Sequence, residues 1–231
     1  MLGRAALLIA ALLAVSAAAG VASASAAWTK VATWEMNEPP NATVMQDSSG
    51  FNRDGQIGSF VETGVDNGNF RGYQFNAATG TKGDPDHLVL VDRKALNPRT
   101  DQFKVFLRFK SNVTDQNIIQ KGQANTAGGN WKIETVAGHV VCSFRGSRGR
   151  GATSSRGVLT NGNWHRILCI RRATEVVLIV DGGIPRRDPG RTGNVDNEAV
   201  LSIGGKRSCN APNVSCEYFT GLTDRVVIAR R

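Results

Sequence analysis

Short runs of apolar residues recur along most of the chain, and their spacing predicts strands. Residues 104–110 and 131–136 alternate between apolar and polar positions, as in a strand with one buried face. Residues 175–180 are almost continuously apolar and β-branched, which is typical of a strand buried on both faces. Two further apolar runs, at 199–203 and 225–229, predict strands near the end of the chain.

Clusters of Gly, Asn, Asp and Ser separate these runs and indicate turns. After residue 26 no segment keeps an apolar pattern at helical spacing over three turns, and no stretch is long enough to be a linker. The pattern therefore predicts an all-β fold with ten or more strands. We expect residues 27–231 to form a single domain, a two-sheet antiparallel β-sandwich.

The first 26 residues have the layout of a secretory signal peptide. Arg4 supplies a positive charge, residues 5–15 are apolar, and small residues follow with Ala-x-Ala sites at 22–24 and 24–26. Cleavage after Ala26 is expected, with an uncleaved membrane anchor as the alternative. The mature chain is then predicted to be secreted and extracellular, without a membrane span.

Export to an oxidising compartment favours disulfide bonds between the four cysteines. No Cys-x-x-Cys pair and no Cys/His cluster at zinc spacing is present. Three pairings are possible. We predict Cys142–Cys169, because both residues lie in strand-like runs, and Cys209–Cys216, which closes a short loop.

The charge of the chain is concentrated in one region. The 231 residues include 28 Lys+Arg and 19 Asp+Glu, a net charge of +9, which becomes +8 without Arg4 of the leader. Seven arginines and no acid lie between Glu134 and Glu175. Four of them, Arg145, Arg148, Arg150 and Arg156, fall in a Gly- and Ser-rich segment that is predicted to be a loop.

Arginine side chains suit sulfates, carboxylates and phosphates. An extracellular acidic glycan or other polyanion is therefore the predicted ligand of this segment. Nucleic acid is not expected, because an exported protein rarely meets it and stacking aromatic residues are missing there. A solvated loop without any partner remains the alternative.

The order of several short motifs along the chain resembles a known family. They are residues 34–38, 44–50, 54–55, 75–76, 118–122, 163–165, 180–182, 201–205 and 219–224. Together they are similar to the laminin G-like domains of the concanavalin A-like lectin/glucanase superfamily. The resemblance implies a jelly-roll sandwich that most often binds glycans or proteins and is sometimes attached to enzymes.

Catalysis is not indicated by any motif. The Glu-x-Asp-x-x-Glu pattern of the superfamily's glucanases is absent, and the only acids spaced two apart, Asp84/Asp86 and Asp196/Glu198, lie among Gly, Pro or Asn residues typical of loops. A binding module for extracellular carbohydrate is the prediction. A polysaccharide-cleaving hydrolase or lyase of the same fold and a protein-binding adhesion module are the alternatives.

Calcium is the cofactor that the resemblance implies, because several members of the family bind one ion at the sandwich rim. Asp47 and Asp54 fall in the matching motif and can supply carboxylate oxygens. The alternative is that both aspartates only form turns.

Aromatic residues are few, at 6% of the chain. Trp131, which follows a Gly-Gly-Asn turn, is the predicted sugar-stacking residue, with Tyr73 and Tyr218 as further candidates. Packing in the core is the competing interpretation for all three.

Overall fold

Antiparallel strands account for almost all regular structure in the chain, which we describe from a computed structural model. The described residues are 26–66, 68, 71–78, 83–207, 209 and 215–231. The predicted leader therefore lies outside the described residues, except for Ala26. The strands of the described part are β1 (Thr29–Trp34), β2 (Val44–Met45), β3 (Gly55–Ile57), β4 (Val61–Asp66), β5 (Arg71–Phe75), β6 (Val89–Val91), β7 (Phe103–Lys110), β8 (Asn117–Lys121), β9 (Asn130–Val136), β10 (His139–Gly146), β11 (Gly149–Ser154), β12 (Trp164–Arg171), β13 (Glu175–Val180), β14 (Arg186–Pro189), β15 (Leu201–Ile203) and β16 (Gly221–Arg230).

The strands form two eight-stranded sheets. Sheet I has the order β14-β13-β12-β7-β16-β5-β4, and β1 also pairs with the long strand β16. Sheet II has the order β11-β10-β9-β8-β15-β6-β3-β2. Short 3₁₀ turns at Pro85–His87 and Lys94–Leu96 are the only helical segments among the described residues. The prediction of an all-β, two-sheet antiparallel sandwich is confirmed.

The core lies between the sheets, where alternate side chains of both sheets meet. In β7 every second residue is buried, as the alternation in the sequence predicts. The aromatic residues of this core include Trp34, Phe75, Phe103, Phe109, Trp131 and Phe144. Side chains at the intervening positions therefore point to the outer faces of the sheets.

Both predicted disulfides are present. Cys142 of β10 and Cys169 of β12 are 5.8 Å apart between Cα atoms, so this bridge crosses the core from sheet II to sheet I. Cys209 and Cys216 have Cα atoms 5.1 Å apart, and the two cysteines pack with Leu88 and Tyr218. Each bridge is expected to stabilise the fold by about 2–4 kcal/mol.

The prediction of a loop at residues 145–156 is wrong. This segment contains the end of β10 and all of β11, which form a hairpin at the edge of sheet II. Of the four arginines, Arg145 and Arg150 are therefore on strands, Arg148 is in the hairpin turn and Arg156 follows β11.

Among the described residues, no helix is long and apolar enough to cross a membrane.

A buried ion pair joins two strands on the outer face of sheet I. Arg108 of β7 lies opposite Asp224 of β16, with 2.5 Å between Nη2 and Oδ2. Burial raises the pKa of Asp224 to about 6 against the opposing charge of Arg108, and Glu35 adds to the rise. The carboxylate is thus less stable in its charged form in the folded protein than in the unfolded chain.

This raised pKa predicts a specific pH dependence of stability. Folded Asp224 holds its proton more tightly than unfolded Asp224, so its contribution to stability is present below about pH 4 and is lost as the pH rises to about 6. The D224N variant does not lose stability in this way, because asparagine does not titrate in this pH range. Its free energy of unfolding, measured in urea and compared with that of the wild type, should therefore gain about 2–3 kcal/mol between pH 4 and pH 7.

Asp115 provides a control of opposite sign. Its pKa is lowered, chiefly by the backbone N–H of Ala137 and also by Thr114, so its stabilisation is lost as the pH falls. The difference between D115N and the wild type should therefore stay nearly constant between pH 4 and pH 7 and shift in the other direction only below about pH 4. A pH-independent difference for D224N would contradict the assignment.

Candidate functional site

The outer face of sheet II carries a band of polar and basic side chains. Across neighbouring strands, Ser143, Lys132, Gln120 and Ser202 lie opposite one another in a row. Their neighbours along the strands, such as Trp131, are buried in the core, so the members of this row point outward. Ser143, Gln120 and Ser202 are themselves buried, so Lys132 is the partly exposed member of this row.

A groove of about 300 Å³ crosses this face. Its lining, which we call the basic groove, consists of Gln120, Gln123, Ala124, Asn125, Asn130, Lys132, Arg145, Arg150 and Lys206. A second depression of about 330 Å³ shares Gln120, Gln123 and Asn125 with it and adds Ser202 and Arg207. From β11 to β15 the surface spans four strand spacings, or roughly 19 Å.

Two of the cations in the groove are neutralised by acids. Lys132 Nζ donates to Glu134 Oε2 on the same strand. Lys206 Nζ donates to Glu217 Oε1 beside the Cys209–Cys216 loop. Lysines that are already paired contribute less to the attraction of an anion.

The arginines of the groove, and Arg207 of the adjoining depression, have no such acid. Among the described residues, no carboxylate lies within ion-pair distance of Arg145, Arg150 or Arg207. Arg145 Nη1 donates to the carbonyl of Ala124, 3.1 Å away, which orients its guanidinium toward the loop between β8 and β9. These three side chains give the surface its uncompensated positive charge.

Arg145 and Arg150 are direct cross-strand partners in the β10–β11 hairpin. Side chains opposite each other in an antiparallel pair have Cβ atoms about 4.5–5.5 Å apart, and like charges in this position are destabilising. A hairpin that keeps two arginines there gives up stability for a pair of donors on one face. Such local conflicts are expected at functional sites.

The other arginines between Glu134 and Glu175 do not join the groove. Arg148 lies at the hairpin turn and Arg156 lines a different depression at the side of the sandwich. Arg171 is buried, which lowers its pKa, and its guanidinium donates to Thr192, Asp101 and Gly193. Of the arginines between Glu134 and Glu175, Arg145 and Arg150 are therefore the two that line the groove.

The prediction that Trp131 stacks on a sugar is wrong. Its side chain has no solvent exposure, because it points from β9 into the core, where its ring is 5.5 Å from that of Phe103. The indole Nε1–H donates to the carbonyl of Leu96, 3.2 Å away. Tyr73 and Tyr218 are buried as well, so none of the three candidates offers an exposed ring face.

Asp47 serves as the anchor of a turn. Its carboxylate accepts hydrogen bonds from the N–H groups of Thr33, Ser49 and Arg53 and from the hydroxyl of Ser49. Burial opposes ionisation, but these hydrogen bonds outweigh it and lower the pKa of Asp47. Asp54 accepts the N–H of Asp47 at 2.8 Å.

The surroundings of Asp47 do not fit a calcium ion. Calcium needs six to eight oxygen ligands, whereas the oxygens of Asp47 face four hydrogen-bond donors. No group of three or more potential metal-ligating side chains occurs among the described residues. The two aspartates therefore have the geometry of the alternative interpretation, in which they form turns.

The two pairs of acids spaced two apart, Asp84/Asp86 and Asp196/Glu198, form a turn or ion pairs. Asp84 accepts the N–H of Asp86 at the start of a 3₁₀ turn. Asp196 lies 3.9 Å from Arg99, and Glu198 pairs with Lys94. None of the residues that line the basic groove is an acid.

The sequence analysis did not identify several residues of the groove and of the adjoining depression. Gln120, Lys132, Lys206 and Arg207 come from segments up to 87 positions apart, and only the strand order of sheet II brings them to one face. For Lys132, the sequence does contain a signal. Because residues 131–136 alternate between apolar and polar positions, Lys132 points to the opposite face of the sheet from the buried Trp131.

Comparisons with known proteins point to one fold family. A family model of the laminin G domain matches residues 118–231. No curated protein matches the sequence significantly. The matched segment runs from within β8 to β16 and includes every residue of the basic groove.

Solved structures share the fold at low sequence identity. The binding domain of Paraclostridial Mosquitocidal Protein 1 aligns with a TM-score of 0.63 and 13% identity, over 88% of this chain and 49% of that one. Domain 4 of an extracellular arabinanase from Geobacillus stearothermophilus, in complex with arabinotriose, has a TM-score of 0.61 and 14% identity, over 88% and 93%. The binding domain of Botulinum Neurotoxin DC in complex with SialylT has 0.58 and 11%, over 88% and 46%. The chain thus spans about half the length of the toxin domains that it matches.

Proposed function

Since the chain carries a laminin G-like domain of the concanavalin A-like jelly-roll type, we propose that it is a secreted binding module for an extracellular anionic glycan. The ligand lies in the basic groove on the outer face of sheet II. Its sulfate or carboxylate groups accept hydrogen bonds from Arg145 and Arg150, whose forked guanidinium groups suit such oxyanions.

The observation that carries this proposal is the Arg145–Arg150 pair. The two arginines are cross-strand partners in a hairpin and line the same groove, and among the described residues neither has an acid within ion-pair distance. An oxyanion bound between them relieves their repulsion and gains charge-assisted hydrogen bonds from both. Amide side chains of Gln120, Gln123 and Asn125 lie alongside and suit the hydroxyl groups of a sugar.

The extent of the surface favours an extended ligand. The width of roughly 19 Å from β11 to β15 exceeds the size of one small anion. Arg150 lies on β11 at one end of this width, and Lys206 and Arg207 follow β15 at the other. Among structural relatives, the arabinanase domain was solved with arabinotriose and one toxin domain with SialylT. Secretion is part of the proposal because both disulfides need an oxidising compartment.

Binding is proposed rather than catalysis because the groove lacks a carboxylate. Glycoside hydrolysis uses two carboxyl groups about 5–10 Å apart on either side of the scissile bond. The lining of the groove supplies cations and amides instead.

A double substitution tests the assignment. The R145Q/R150Q variant should lose most of its retention on a heparin or polyuronate column at low salt, with binding weakened about tenfold or more, because two charge-assisted contacts are removed. The matched control is R148Q/R156Q, which removes the same charge from the same segment but outside the groove. It should elute close to the wild type.

Equal losses in both variants would show that net charge alone causes retention and would refute the groove. Unchanged elution of R145Q/R150Q would refute the anionic glycan. Binding of the wild type to another protein that free polyanion does not compete with would support the adhesion module instead.

A further inference from the structure

A second depression opens at the side of the sandwich, away from the basic groove. We call it the side slot; it lies between the loop that follows β11 and the turn from β13 to β14, and its volume is about 270 Å³. Leu159, Leu178, Val180 and Ile184 supply its apolar surface. Leu178 also belongs to the core between the sheets, so the floor of the slot is continuous with that core.

The apolar surface extends to the rim. Ile184 is 76% exposed in the turn between β13 and β14. This exposed side chain and the apolar floor beside it form a larger hydrophobic surface than either would alone. Such contiguous surfaces mark ligand-binding sites more often than scattered apolar residues do.

Two arginines stand at the mouth of the slot. Arg156 and Arg186 line it, both are exposed, and among the described residues neither side chain has an acid within ion-pair distance. The nearby acids are engaged elsewhere. Asp188 accepts the N–H of Ala152 at 2.7 Å, and Asp181 lies 2.8 Å from His165 Nδ1.

An apolar floor below two uncompensated guanidinium groups fits an apolar chain that ends in one anionic group. We propose that the side slot binds a medium-chain fatty acid. The alkyl chain packs against Leu159, Leu178 and Val180, and the carboxylate accepts hydrogen bonds from Arg156 and Arg186. The volume lies near the lower end of ligand pockets, which is why the chain is of medium length rather than long.

Titration with decanoate tests this site in the full chain without its leader. The backbone amide signals of residues 155–159 and 178–186 should shift in a saturable manner. Decanol has the same chain without the charge, and acetate has the charge without the chain. Both should bind at least about tenfold more weakly, because each lacks one of the two interactions.

The R156Q/R186Q variant should weaken decanoate binding by about tenfold or more, and R145Q/R150Q, with the same loss of charge in the basic groove, should leave it unchanged. Equal decanoate affinity in R156Q/R186Q and the wild type would overturn the proposal. So would equal affinities for decanol and decanoate, or shifts spread evenly over the sheets. Retention on the polyanion column reports on the other face, so the two proposals can fail separately.

Discussion

Replacement of Trp131 by alanine is expected to lower the free energy of unfolding by about 3–5 kcal/mol, as for other large aromatic residues that are removed from a core. The side chain is fully buried and lies close to the ring of Phe103. Its removal leaves a cavity between the sheets and deprives the carbonyl of Leu96 of its donor. Equilibrium unfolding in urea, followed by circular dichroism, measures the loss.

A conservative replacement separates the two contributions. W131F retains most of the ring volume and loses the indole N–H, so a loss of about 1–2 kcal/mol is expected. The W131A variant also tests whether Trp131 is a core residue or a surface residue that contacts the glycan. A residue that stacks on a sugar from the surface would lower glycan binding with little loss of stability. A stable W131A with impaired binding would contradict the buried position.

The sequence pattern predicted the sandwich well because burial on one face leaves a period-two signal. The run at 104–110 corresponds to β7, Phe103–Lys110, and the run at 131–136 to β9, Asn130–Val136. In β7 Val105, Leu107 and Phe109 lie in the core, and in β9 Trp131 and Ile133 do, whereas Val136 is exposed. The alternation in β9 also predicts that Trp131 points into the core. Its position directly after a Gly-Gly-Asn turn suggested an exposed side chain instead.

The β10–β11 hairpin was missed for a physical reason. The inward positions of β11 are small, and at Gly151 an added Cβ would lie 2.7 Å from the side chain of Val176. An edge strand that packs this closely on the opposite sheet cannot carry the large apolar residues that mark a strand in a sequence. Its Gly and Ser content therefore resembled that of a loop.

The basic groove could be predicted only in part. The excess of arginine between Glu134 and Glu175 indicated an anionic ligand, but the chain order gives no information on which arginines share a face. Arg145 and Arg150 converge because a two-residue turn sets their register, whereas Arg156 emerges at the side of the sandwich. Lys206 reaches the groove, and Arg207 the adjoining depression, through the strand order of sheet II, which local patterns do not encode.

The backbone beneath the groove gives the second large effect. Gly129, at the start of the path into β9, has a φ of +89°, and an added Cβ would lie 2.1 Å from the carbonyl oxygen of Arg145. Since that contact is with backbone, G129A must displace the end of β10 or the loop itself. We expect a loss of about 3–5 kcal/mol, from left-handed strain and from the clash together.

Gly162 is the matched control, because it has a φ of +77° and nothing within 4 Å of an added Cβ. G162A should therefore show only the conformational strain, about 1–2 kcal/mol. The displacement in G129A moves Arg145 relative to Arg150, so retention on a polyanion column should fall in the folded G129A protein and remain unchanged in G162A. The difference in stability between G129A and G162A measures the clash, and the column measures its effect on Arg145. Equal stability losses in the two variants would contradict the close approach of Gly129 to the carbonyl oxygen of Arg145. Normal retention in G129A would show instead that polyanion binding does not depend on the position of Arg145.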